Sequence, residues 1–203
     1  MNDQILWFAT RGAGAVSLLL LTVVTCLGIV TAGRFQRPGW PRFLSAELHR
    51  NLALLSTVFL GIHIVTAIAD PYTSLGLVAA VVPFASSYRP LWVGLGVVSL
   101  DLGIAIVATS LIRDRIGRWT WRAIHWLAYG AWPLAVIHSI GSGTDNGSTW
   151  MLAIDAACVA TVAIAAAWRL LAAQPRTLDD VVATGRPAGM PAARVGADRR
   201  IGT

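Results

Sequence analysis

Five apolar runs, at about residues 13–32 (A), 47–69 (B), 91–112 (C), 120–140 (D) and 150–172 (E), alternate with short polar, arginine-bearing stretches. A helix needs roughly 20 apolar residues to cross a bilayer, because it rises about 1.5 Å per residue and must satisfy its backbone polar groups internally. The pattern therefore predicts an all-α membrane protein, a five-transmembrane-helix bundle. A sixth apolar piece, residues 75–85, is interrupted by Pro83 and bounded by Pro71 and Pro90. Its length and prolines predict a short re-entrant or surface segment. From residue 174 the chain turns to Pro, Gly, Ala and Arg, a composition that buries no core. The expected division is a membrane domain over 1–173 and a disordered cytoplasmic tail over 174–203.

Charge adds an orientation. The 203 residues are 56% hydrophobic and 13% charged, with a formal net charge of +6. In a soluble protein that surplus would point to nucleic acid; here every basic residue is an arginine and most sit at span ends, so no nucleic-acid partner is expected and membrane lipid is. Arg34, Arg37, Arg42 and Arg50 fall between A and B, Arg113, Arg115, Arg118 and Arg122 between C and D, and Arg169 and Arg176 around the end of E. The alternate connections carry only Arg11 and Arg89. Positive charge stays on the cytoplasmic side, which predicts the N-terminus outside and the C-terminus in the cytoplasm of a bacterial plasma membrane. Trp7, Trp40, Trp92, Trp119, Trp121, Trp150 and Trp168 lie near the same span ends, where an indole favours the headgroup level. The stronger positive charge follows span A rather than preceding it, so A reads as a retained span and not a cleaved signal. Cys26 and Cys158 both fall within spans, in the manner of small packing residues.

The four histidines carry the candidate chemistry. His49 and His63 lie fourteen residues apart in B, and His125 and His138 thirteen apart in D. A lone intramembrane histidine is more often a hydrogen-bonded packing residue than a metal ligand. Here B and D run in the same direction, which puts His49 level with His125 and His63 level with His138. Those steps of helix span about 21 and about 20 Å, so two tiers of facing imidazoles are separated by nearly one distance, as two stacked haems require. Neutral imidazole is a strong ligand for haem iron, and two of them close both axial positions, which favours passing electrons over binding oxygen. Rotation is the obstacle. At about 100° per residue fourteen steps return within about 40° of one face, whereas thirteen miss by about 140°. Span D must be rewound or bent, and Pro133, between its histidines, is one residue able to do it.

With His49-Arg50 opening B and Trp121-Arg122-x-x-His125-x-x-x-Tyr129 opening D, the chain resembles the ferric reductase-like transmembrane domain. That superfamily includes the membrane parts of NADPH oxidases and ferric reductases and the haem-binding subunit of bacterial methionine sulfoxide reductase. The resemblance covers residues 45–140 best. It implies a di-haem domain with His49, His63, His125 and His138 as ligands of two haem b groups, His49 paired with His125 and His63 with His138. Two departures stand out: family members usually have six spans, and the oxidases continue into a flavin and nicotinamide module for which no site is expected in this chain.

Arg50 and Arg122 are candidate partners for haem propionates through charge-assisted hydrogen bonds. Asp101, near the middle of C, is expensive as an ion in lipid and is either interhelical glue or a tuning or proton-relay group. Asp155, in E, is expected shallower and satisfied at the outer surface. The glycine-rich stretch 141–147 lacks the strand and helix of a dinucleotide loop and reads as a turn. The expected function is a membrane di-haem b cytochrome, an oxidoreductase component that takes electrons from a separate flavin reductase or from quinol and passes them to an outer acceptor. The alternatives are the haem-binding subunit of a periplasmic methionine sulfoxide reductase system, or a transporter or scaffold without redox chemistry.

Overall fold

The computed structural model describes residues 2–32, 42–143 and 148–172, and no strand occurs among them. Eight helices follow in order: α1 (Asn2–Ala32), α2 (Arg42–Ala69), α3 (Leu77–Val81), α4 (Pro90–Leu111), α5 (Arg113–Ile116), α6 (Arg118–His125), α7 (Ala128–Ser142) and α8 (Thr149–Ala172). Four of them, α1, α2, α4 and α8, are long and apolar enough to cross a membrane. Large apolar side chains along them, among them Val23, Leu54, Val58, Val65 and Ile164, are exposed, as lipid-facing residues should be. The protein is an all-α, multi-pass membrane protein.

The rewinding or bend expected in span D is present. Span D is divided into α6, of 8 residues, and α7, of 15. At the junction Trp126 and Leu127 have ψ values of −21° and −19°, and the bonds tighten to i→i+3: Leu127 N donates to the Ile124 carbonyl at 2.9 Å, Tyr129 N to Trp126 at 3.1 Å and Gly130 N to Leu127 at 2.9 Å. A turn of this kind advances about 120° per residue instead of about 100°, so each tightened residue recovers about 20° of the missing angle. The rewinding falls ahead of Pro133, which lies inside α7. The 75–85 piece holds only the short α3, in a connection with left-handed backbone at Ser74, Phe84 and Arg89. The tail 174–203, the loop residues Arg34, Arg37 and Trp40, and positions 144–147 of the glycine-rich stretch lie outside the described residues.

α1 is the hub, packed along α2 and against α7 and α8, while α4 packs along α7. Its contact with α2 is a ladder with a seven-residue step. Ser17 and Ser56 exchange hydroxyl-to-carbonyl bonds of 3.3 Å in both directions. Seven residues to one side the His49 ring meets the Val24 carbonyl, and seven to the other the His63 ring meets that of Thr10. Small residues at Gly14 and Gly28 let the rings approach the α1 backbone, the usual device where helices associate in lipid without a hydrophobic drive. A second cluster joins α1, α7 and α8 through Leu18, Val136 and the fully buried Cys158, beside Trp132. There the Trp132 indole donates to the Thr22 hydroxyl at 3.0 Å.

Candidate functional site: two facing histidine pairs

The fold brings the four histidines together in pairs across the seam between α2 and the α6–α7 segment. The ring centroids of His49 and His125 are 6.1 Å apart and those of His63 and His138 are 6.2 Å apart, at interplanar angles of 60° and 79°. Helices α2 and α7 are not among the closely packed pairs. The rings therefore face each other over a gap that helix packing does not close.

Three of the rings are anchored from behind. The Nδ1 atom of His49 lies 3.2 Å from the Val24 carbonyl, that of His63 2.9 Å from Thr10, and that of His138 2.9 Å from Trp92. A carbonyl accepts only, so in each case Nδ1 carries the proton and Nε2 keeps its lone pair, the tautomer that a metal ligand requires. Glycine backs two of these rings closely. A methyl group built on Gly14 would meet His63 Nδ1 at 2.9 Å, and one on Gly96 would meet His138 Nδ1 at 2.5 Å. His125 is different: its Nδ1 is buried with no hydrogen-bond partner, and the ring is stacked on Trp121 at 5.0 Å and 29°.

These rings fit the axial positions of a haem. Two metal–imidazole bonds of about 2.0–2.1 Å, plus the distance from nitrogen to ring centre, put two ring centres on one metal about 6.3 Å apart. That separation is matched at both tiers. Among the described residues no three of His, Cys, Asp and Glu converge, so the donor set is two separate imidazole pairs rather than a compact multi-ligand centre. The His63–His138 tier opens into a cavity of about 220 Å³ whose lining includes Leu60, Val97 and Ala135 together with Arg11, Tyr72 and Tyr88. An apolar lining with a guanidinium and phenols in it suits a macrocycle that carries carboxylates. Tyr88, outside the spans, has its phenol pushed above the ordinary value by burial, against the pull of Arg89. It remains a neutral donor, to the Ser142 carbonyl at 3.4 Å.

The other residues singled out in the sequence fall as follows. Arg50 is two-thirds exposed and paired with Glu47 at 3.0 Å; Arg122 is exposed on α6. Asp101 is exposed and so is not glue between helices of this bundle. Asp155, expected near the surface, is instead buried and accepts a 3.0 Å bond from Ser139, the residue after His138. Sequence reasoning missed Arg11, the three carbonyls and the glycines behind the rings. None of these is marked by a motif in the sequence.

The site is thus two imidazole pairs at two levels of a membrane helical bundle. The model of the ferric reductase-like transmembrane component family matches residues 11–138, and the chain belongs to that family. Domains of this kind bind haem, and the protein is a membrane electron-transfer component. No curated protein and no solved structure matches the chain.

Proposed function

We propose that this chain is a di-haem b cytochrome in which His49 with His125 and His63 with His138 are the axial ligands of two haem groups. When bound, the two groups supply one-electron redox chemistry at two depths of the bilayer. The observation that carries the reading is the equal spacing of the rings at both tiers, 6.1 and 6.2 Å. Val24, Thr10 and Trp92 hold the Nδ1 protons and orient the rings, which raises the donor strength of Nε2. Gly14 and Gly96 leave the room the rings occupy. Arg11 at the far tier, and Arg50 and Arg122 at the near one, offer guanidinium groups to propionates. The apolar walls exclude water and keep the dielectric low.

In this reading the basic loops lie in the cytoplasm and the N-terminus outside, in a bacterial plasma membrane. The His49–His125 tier then receives electrons from a flavin-bearing reductase or from quinol, and the His63–His138 tier delivers them to an acceptor outside. The test is an optical spectrum and haem count of protein purified from cells with ample haem supply. Two reducible low-spin b-type groups per chain are expected; a colourless protein refutes the proposal.

A further inference from the structure

We infer that His125 is the releasable one of the four imidazoles, and that its tier accepts a small neutral ligand of ferrous iron in its place. The inference rests on the di-haem reading above and concerns a difference between the tiers.

The difference follows from register. α4 and α7 meet in a ladder like that of α1 and α2: the Trp92 carbonyl holds His138, and seven residues further along α4 the Ser99 hydroxyl bonds the Ala131 carbonyl, seven residues back along α7, at 2.8 Å. Another seven residues along α4, at Ile106, a third rung would fall level with α6. The chain is rewound at Trp126–Leu127 before reaching it. On α4 the nearby carbonyls of Ala105 and Ile106 are taken by the Thr109 hydroxyl, at 2.7 and 3.2 Å. The rewinding that turns His125 toward His49 thus also removes it from the rungs that anchor His138.

The consequence is chemical. With Nε2 as ligand, Nδ1 carries a proton and needs an acceptor; it is buried and has none among the described residues. Ligation by His125 therefore leaves a buried donor unsatisfied, a cost the other three rings escape. Outer-shell partners of this kind are worth about 10–100-fold in metal affinity. His125 also ends α6, next to the break, whereas His49 and His63 lie within α2 and His138 within α7. What positions the ring is the Trp121 stack, itself tied to α4 by a 3.2 Å bond from the indole to Ser110. In exchange, the Nε2–iron bond breaks, the incoming lone pair takes the vacated position, and no oxidant or reductant is consumed.

The experiment uses the full chain carrying two haems by pyridine haemochrome, reduced with dithionite and titrated with carbon monoxide. One carbon monoxide per two haems is expected. Gly103→Ala, on α4 where an added methyl meets nothing within 4 Å, is the control and should leave the carbon monoxide affinity at the parent value. Trp121→Leu should raise carbon monoxide affinity by about tenfold with the haem count unchanged. Two haems that both refuse carbon monoxide overturn the inference and leave the di-haem reading intact, as does a carbon monoxide affinity that Trp121→Leu leaves unchanged. A chain without haem overturns both.

Discussion

Replacing Gly96 by alanine isolates the anchoring of one ring. The added methyl would lie 2.5 Å from Nδ1, 2.7 Å from Cε1 and 2.8 Å from Cγ of His138, so the imidazole must move away from α4 and stretch its 2.9 Å bond to the Trp92 carbonyl. Overpacking of this sort costs about 1–3 kcal/mol, against a gain of about 0.5–1 kcal/mol for removing a helical glycine. The weakened outer-shell bond alone predicts a loss of about 10–100-fold in affinity at the His63–His138 tier. Gly103 is the matched control: it lies on the same helix, and a methyl there meets nothing within 4 Å, so Gly103→Ala gains helix propensity without a clash. The assay is haem stoichiometry and the reduced spectrum of both variants in detergent, with thermal unfolding alongside. Gly96→Ala should lose its second haem first and melt below Gly103→Ala. Indistinguishable spectra and melting of the two variants would refute the argument that His138 is held by backbone proximity.

Two further outcomes follow from the interhelical bonds. Ser17→Ala with Ser56→Ala removes the reciprocal pair at the centre of the α1–α2 ladder, and should lower stability in detergent by about 1 kcal/mol while leaving the spectrum unchanged; loss of a haem would mean that the serines do more than hold register. Asp155→Ala deprives the Ser139 hydroxyl of its 3.0 Å acceptor and should cost about 1–3 kcal/mol. Asp155→Asn, which keeps a carbonyl oxygen, should lie close to the parent by chemical denaturation, and equal losses in both variants would count against the bond.

Read in one dimension, the chain determines a good deal. Apolar runs near 20 residues leave the backbone no choice but helix in lipid, so the all-α membrane class follows directly. The steps of fourteen and thirteen between histidines follow too, with their implied tiers, and so does the need for extra twist in span D, because 13 steps cannot return to one face at the ordinary pitch. Tertiary structure decided where the helix is interrupted, at Trp126–Leu127, ahead of Pro133. It also decided what stands behind each ring. Backbone carbonyls at Val24, Thr10 and Trp92 have no sequence signature, since every residue has one, and only helix register selects which are aimed at an imidazole. The two carboxylates show the same division. Asp101 at the centre of a span and Asp155 nearer its end are ranked by depth in the sequence, but burial depends on which face of a helix meets a neighbour. That contact exposes Asp101 and encloses Asp155. Depth is a linear quantity set by rise per residue; facing is angular and is settled only when helices choose their partners.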